Sequence, residues 1–283
     1  MDRRFFYKMG ATLLDRGPLC GVVRGAAYES LFGAAPGMPP EQAIHSDLIL
    51  VWGNNVTVSN LHFMRVLNQA RAAGARVVVI DPKRIKLAEQ CDLHLQLRPG
   101  TDVVLGLGLA AELERRGALD ADFIAEWTLG FEDYMSAARA YTPERVAQIC
   151  GIPVEGVLRL VDWIAGARNL ASAFGNGIER TRSGGAGLRA AMALNALTGH
   201  HGRLGAGIVA KSGAAAPKTS DRLQGAHLMR PGTRCFNIVD VAAKMLDRDL
   251  EPPVAAAMIY NHNPVATHPD QEGMIKALMQ EEI

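Results

Sequence analysis

The chain repeats one short sentence: an apolar run of strand length, a polar turn, then a helix. "DLILVW" runs into Gly53-Asn54-Asn55, "RVVVI" into Asp81-Pro82-Lys83-Arg84, "NLASAF" into Gly175-Asn176-Gly177, and "AAAMIY" into Asn261-His262-Asn263-Pro264. A strand that is apolar at successive positions buries both faces, which is the habit of parallel sheets held between helical layers. After the first strand, Phe63, Val66, Leu67 and Ala70 form the stripe of a helix expected over about 57–73, with Gly74 as its stop. This alternation predicts an α/β fold with a doubly wound parallel sheet, whose ligand crevice lies outside the carboxyl ends of the strands. The polar turns all fall on that edge.

The remaining segments fill in the layers. "CDLHLQL" alternates and reads as a half-buried strand ending at Arg98-Pro99-Gly100, after which Thr101 is the expected N-cap of a helix over 102–116 closed by Gly117. Thr142 with Pro143 opens another helix, 153–167 and 187–198 read as two more, and "NIVDVAAKML" as a further one. Residues 1–46, apart from a short helix near 26–31, and residues 199–235 are rich in Gly and Pro and read as loops.

A length of 283 residues, 48% of them hydrophobic, suits about two domains with a sizeable core. With a net charge of +1, no overall field recruits nucleic acid or a membrane surface. The longest uncharged apolar run, 103–111, falls far short of the ~20 residues needed to span a bilayer, so no transmembrane segment is expected. Arg3 and Arg4 are not followed by the apolar stretch of a secretory signal, and the chain as written reads as cytoplasmic. Cysteines 20, 91, 150 and 235 are too dispersed for a CxxC metal site or a disulfide framework.

The strand ends offer amide side chains, backbone N–H groups beside glycine, and the cations Lys83 and Arg84, a set that suits phosphate oxygens and a hydrogen-bonding base. Each residue also has a plainer reading. Gly53-Asn54-Asn55 is ordinary turn chemistry, and Asp81 and Asp102 can cap helices as well as bind ribose hydroxyls or a base. Cys20, in "GPLCGVVRG", is either a small buried side chain or an accessible thiolate for a metal. Arg189 stands in the apolar helix "GGAGLRAAMALNAL", where a buried charge needs a partner or a ligand. His200 and His201 are adjacent, point in different directions and lack a third ligand at useful spacing, which disfavours zinc.

Taken together, "SDLILVWGNN", "GARVVVIDPKR", "CDLHLQLRPGTD", "YTPERVAQICGIP", "GNGIERTRSGGAGLRAAMALNALTGHHGRLGAG" and "MIYNHNPVATHPDQ" resemble, in order and spacing over almost the whole chain, the molybdopterin oxidoreductases of the dimethyl sulfoxide reductase and formate dehydrogenase type. The resemblance implies a Rossmann-like dinucleotide-binding domain over 1–190 and part of a second α/β domain over 191–283. It implies a molybdenum or tungsten ion held by two molybdopterin guanine dinucleotides and a two-electron reaction on a small substrate. On matched positions, Gly53, Asn54, Asn55, Asp81, Lys83, Arg84, Gly100, Thr101 and Asp102 would contact one dinucleotide. Gly175, Gly177, Asn261 and Asn263 would serve the pterin region or the second dinucleotide. Cys20 would be the protein ligand to the metal, and Arg189 would approach substrate.

The departures shape the expectation too. Gly21 stands where formate dehydrogenases usually carry histidine after the metal ligand. The cysteine quartet of an N-terminal 4Fe-4S cluster and the C-terminal barrel-like domain are both missing from the sequence. The resemblance therefore implies the central part of a larger enzyme that passes electrons to an iron-sulfur subunit or domain, with export to the periplasm open if a twin-arginine leader lies upstream. The alternative is a non-catalytic relative similar to the large iron-sulfur subunit of respiratory complex I, against which Cys20 and Arg189 weigh.

Overall fold

The computed structural model describes residues 2–15, 17–35, 37–210 and 220–280. The chain forms two compact units, Val23–Ala215 and the combination of Met1–Val22 with Ala216–Ile283. The division anticipated at 190/191 falls inside a continuous helix, Gly184–Leu197.

The strands, in chain order, are β1 Leu13–Asp15, β2 Leu48–Trp52, β3 Arg76–Ile80, β4 Leu93–Leu95, β5 Leu170–Phe174, β6 Gly207–Ile208 and β7 Cys235–Asn237. In the 23–215 unit, five parallel strands form one sheet in the order β4-β3-β2-β5-β6. β2 and β5 are buried at every position. Their side chains alternate between two cores: Leu48, Leu50, Trp52, Leu170 and Phe174 on one face, and Ile49, Val51, Ala171 and Ala173 on the other. The first core is covered by the helices Asp102–Arg115, Pro143–Cys150, Val154–Gly166 and Gly184–Leu197. The second is covered by the helix Leu61–Ala72 and the 3-10 turn Pro40–His45. The chain builds outward from β2 to β3 and β4, then returns through the helices after β4 to place β5 on the other side of β2. The strand order therefore reverses between β2 and β5, and that is where a doubly wound sheet opens its crevice.

Glycines let the covering helices come close. A Cβ on Gly106 would stand 2.9 Å from the backbone carbon of Ala190, and one on Gly187 would stand 3.0 Å from the Cβ of Asp102. Larger residues would force the Asp102–Arg115 and Gly184–Leu197 helices apart.

In the second unit β1 and β7 pair in parallel, Leu13 opposite Cys235 through Asp15 opposite Asn237. A small core of Val241, Ala242 and Met274 gathers Leu14, Met245, Val265 and Leu278. Parallel pairing and covering helices are the rudiments of a second α/β layer.

Several expectations need correction. "AAAMIY" forms no strand: residues 253–260 take no regular secondary structure and pair with no strand among the described residues, and Met258, Ile259 and Tyr260 are exposed. A strand requires a neighbouring strand, which periodicity cannot supply. The region 1–46 holds the helices Asp2–Met9 and Val22–Phe32 as well as β1. β6 lies within the stretch read as a loop, since its two residues are too few for a periodic signal. "NIVDVAAKML" divides into a 3-10 turn, Ile238–Asp240, and a helix, Val241–Leu246. Thr101 precedes its helix without capping it; its hydroxyl donates instead to the Arg98 carbonyl at 2.7 Å. Thr142 does cap, accepting from the Arg145 N–H at 3.3 Å.

Gly106→Ala should lower stability by about 1–3 kcal/mol, although alanine usually favours a helix over glycine by roughly 1 kcal/mol, because the added methyl has no space against Ala190. Gly166→Ala, where nothing lies within 4 Å of the new Cβ, should be neutral or stabilising. Urea unfolding midpoints of the two variants check the pair.

Candidate cofactor-binding site

The strand carboxyl ends meet at the reversal point through their backbones. Gly175 N–H donates to the Trp52 carbonyl at 2.9 Å, and Gly177 N–H donates to the Gly53 carbonyl at 3.0 Å. A Cβ on Gly175 would lie 2.2 Å from that same Gly53 oxygen, and one on Gly177 would lie 2.8 Å from it. Gly53 itself takes φ +57°, a left-handed conformation that glycine adopts at little cost. The glycines after β2 and β5 thus serve first to bring two turns into contact. Local spacing accounts for the turns, but the contact spans over a hundred residues of chain and has no local signal.

The joined turns leave donors and acceptors for a ligand. Among the described residues, the backbone N–H groups of Asn54 and Asn55 have no acceptor. The Asn55 side-chain oxygen accepts from the Thr57 hydroxyl at 2.9 Å, which holds the turn. Beyond β3, Asp81 Oδ1 accepts from the Lys83 N–H at 2.8 Å, so Asp81 shapes its own turn and is not a helix cap. Lys83 and Arg84 are exposed and enter no ion pair among the described residues.

Asp102 is buried, and its Oδ1 accepts from the Trp52 indole N–H at 2.7 Å. Burial raises its pKa above the ordinary aspartate range; the Trp52 bond opposes this and the negative charge of Asp81 adds to it. Burial likewise raises Asp81, against the pull of the Lys83 N–H and the His94 and Lys83 charges. The two carboxylates, after β3 and β4, are an acceptor pair suited to N–H or O–H donors.

Gly100 takes φ +82°, and its carbonyl accepts from the Ser183 hydroxyl at 2.7 Å, which ties the turn after β4 to the one before the Gly184–Leu197 helix. Trp52, His94, Ser183 and Glu179 contribute to this edge although the motif reading passed over them. His94 Nε2 lies 3.0 Å from the Asp81 carbonyl, and the buried Glu179 accepts from the Arg24 N–H at 2.8 Å. A glutamate beside the glycine-rich turn in "GNGIER" was the available signal for the last of these.

Arg189 corrects an expectation. Its helix is largely buried, yet Arg189 is exposed, on an outer stripe with Ala186, Ala193 and Ala196. It therefore needs no internal counter-charge. Cys20, Asn261 and Asn263 belong to the other compact unit. Cys20 is exposed at the end of a short 3-10 turn, its N–H donating to the Gly17 carbonyl at 3.0 Å. Asn261 takes φ +47°, and the Asn263 side chain caps the turn Pro264–Thr267 by accepting from the Ala266 N–H at 3.1 Å. No group of three or more His, Cys, Asp or Glu able to hold a metal occurs among the described residues. No helix among them is long and apolar enough to cross a membrane.

Asp102→Ala should cost about 1–3 kcal/mol by leaving the buried Trp52 N–H without an acceptor, whereas Asp102→Asn keeps an acceptor and should be near neutral. Because burial disfavours the charged form, the penalty on Asp102 is present above its raised pKa and is relieved on acidification. The Asn variant should therefore gain on the parent protein as pH rises through and above the ordinary aspartate value of about 3.9. Denaturant unfolding at a series of pH values measures both effects.

Residues 27–283 match the family model for molybdopterin oxidoreductase. The chain is 30% identical over 284 aligned residues to the probable oxidoreductase YoaE of Bacillus subtilis strain 168, an alignment covering 100% of this chain and 41% of the relative. It is 29% identical over 164 residues to formate dehydrogenase H of Escherichia coli strain K12, covering 58% of this chain and 23% of that protein. In fold it is similar to acetylene hydratase from Pelobacter acetylenicus, with a TM-score of 0.76 at 21% identity over 98% of this chain and 43% of that one. The chain thus spans less than half the length of these relatives. It belongs to the molybdopterin oxidoreductase family.

Proposed function

We propose that the chain is the cofactor-binding and catalytic core of a larger oxidoreductase that uses a molybdenum or tungsten bis(molybdopterin guanine dinucleotide). The observation that carries this reading is the backbone junction of Gly53 with Gly175 and Gly177 at the sheet's reversal point, flanked by the Asp81 and Asp102 carboxylates. The donor set fits such a cofactor. The open N–H groups of Asn54 and Asn55, with exposed Lys83 and Arg84, suit a pyrophosphate. Asp81 and Asp102 suit ribose hydroxyls and the N–H edge of guanine, with Gly100 and Thr101 bounding the same turn. Gly175 and Gly177 keep side chains out of the junction.

Asn261 and Asn263 are the proposed contacts of the pterin region or the second dinucleotide; with the Asn263 oxygen committed to its cap, its amide N–H groups are the donors left for a ligand. The bound metal supplies the two-electron chemistry. Cys20 provides the soft thiolate ligand for it. Arg189, exposed and carrying a planar fork of donors, orients a small anionic substrate. An iron-sulfur subunit or domain, with the 4Fe-4S cluster on polypeptide outside this sequence, carries the electrons. The same reading leaves the cytoplasm or, with an upstream twin-arginine leader, the periplasm as the compartment.

Purified intact enzyme should contain molybdenum or tungsten, and acid hydrolysis should release GMP in about a two-to-one ratio to the metal. Absence of both, with retention of another nucleotide, would overturn the reading. Cys20→Ala should retain pterin and guanine nucleotide but lose turnover; unchanged turnover removes Cys20 from the mechanism. Asp102→Asn should reduce bound guanine nucleotide by at least tenfold while its unfolding midpoint stays near that of the parent protein, and full retention excludes the Asp102 contact.

A further inference from the structure

At the amino edge of the five-stranded sheet, opposite the turns that follow β2 and β5, the loop 199–206 leads into β6. The hydroxyl of Ser46, just before β2, donates to the Gly205 carbonyl at 2.6 Å, and the Ala206 N–H donates to the Arg203 carbonyl at 3.1 Å. These bonds fold the loop back beside the strand starts. Between it and the segment around Met38 lies a cavity of about 430 Å³, within the roughly 300–1,000 Å³ of small-molecule sites. Met38 and Ile208 give it apolar walls, while Tyr28, Gln42, His201 and Arg203 supply side-chain polar groups. Among the described residues, no Asp, Glu or Lys lines it, and Arg203 is its one arginine.

Arg203 is held without being neutralised. Its Nη2 lies 2.9 Å from Nδ1 of His200, and it enters no ion pair among the described residues. His200 is buried, and burial together with the Arg203 charge pushes its pKa down to about 4, so near neutral pH it is an uncharged acceptor. The carboxylates that His200 senses, Asp47 and Asp120, are engaged elsewhere. Asp47 accepts from the Arg168 and Asn169 N–H groups, and Asp120 accepts from the Phe123 N–H. A guanidinium fixed by a neutral ring keeps its full positive charge and the rest of its donor fork.

The neighbouring groups point to the same ligand. Burial pushes the Tyr28 hydroxyl up to about 12, so it remains a protonated donor. His201 packs against Phe32 with ring centroids 5.1 Å apart, and its Nε2 has no hydrogen-bond partner among the described residues. The wall therefore carries a polar atom that the protein itself leaves unsatisfied. A single cation suits a single negative charge, since a phosphate dianion calls for more than one. The planar fork matches a planar carboxylate, and the apolar walls match a hydrocarbon body.

We propose that this cavity is a binding site for a small organic monocarboxylate, whose carboxylate pairs with Arg203 and whose body packs on Met38 and Ile208. The site lies on the sheet edge opposite the candidate cofactor site, and neither metal nor nucleotide takes part in it.

Titrating the full chain with phenylacetate and with hexanoate, followed by amide NMR, tests the assignment. Saturable shifts are expected at residues 37–42 and 201–208. Phenylacetamide, the neutral counterpart of the first probe, and inorganic phosphate should shift none of them at the same concentrations. Arg203→Gln should weaken carboxylate binding by about tenfold or more, the usual consequence of losing a charged hydrogen-bond partner. Arg159→Gln, at an exposed position on the helix Val154–Gly166, should leave it unchanged. Absence of saturable shifts at these amides with both carboxylates, or unchanged affinity in a folded Arg203→Gln chain, would overturn the site. Equal binding of phenylacetamide would overturn its anion character, and equal or tighter binding of phosphate would overturn the monocarboxylate class. The comparison of probes needs no variant, so it decides the question even where Arg203→Gln fails to fold. Metal and guanine nucleotide content do not enter these measurements, so failure here leaves the cofactor reading untouched.

Discussion

The backbone contact between the turns after β2 and β5 is the constraint on which the candidate site depends. Three glycines, Gly53, Gly175 and Gly177, let two main chains approach so closely that a single Cβ on Gly175 would fall 2.2 Å from the Gly53 oxygen. The Gly175 and Gly177 N–H groups are used up in the junction, while those of Asn54 and Asn55 stay open. Parallel order places this junction where the strand order reverses, the point at which doubly wound sheets open their ligand crevice. A side chain at any of these positions would move the turns apart before it touched a ligand.

Electrostatics on the same edge follows from depth. Asp102 lies beneath the end of β2, fastened to the Trp52 indole, while Lys83 and Arg84 stand in solvent. Burial therefore raises the carboxylates toward their neutral forms and leaves the cations as flexible surface charge. Hydrogen-bond donors that reached Asp81 and Asp102 would offset the hydration those groups lost on burial. Trp52 links this chemistry to the core, because its ring belongs to the apolar face while its N–H holds the acid.

The legible parts of the molecule were those with short-range periodicity. The mostly apolar β2, β3 and β5, the stripe of Phe63, Val66, Leu67 and Ala70, and the Thr142-Pro143 helix start appear in the structure where local pattern placed them. The failures share one cause. β6 has two residues and exists because β5 offers an edge; β1 exists because a segment more than two hundred residues later lies beside it. "AAAMIY" has the pattern of a strand and no neighbour to complete one. Arg189 looked anomalous in an apolar helix, but the helix keeps one exposed stripe and the arginine sits on it.

By itself the sequence determined the class of the fold, the alternation of strand and helix, and the edge on which polar turns collect. These follow from burial at fixed local spacing, and burial of apolar side chains is the dominant favourable term in folding. Only the tertiary structure decided that β2 and β5 are neighbours, that Gly175 meets the Gly53 carbonyl, that Asp102 answers Trp52, and that Arg189 faces outward. Each of these relates residues far apart in the chain, and no local propensity encodes which distant segment will share a boundary.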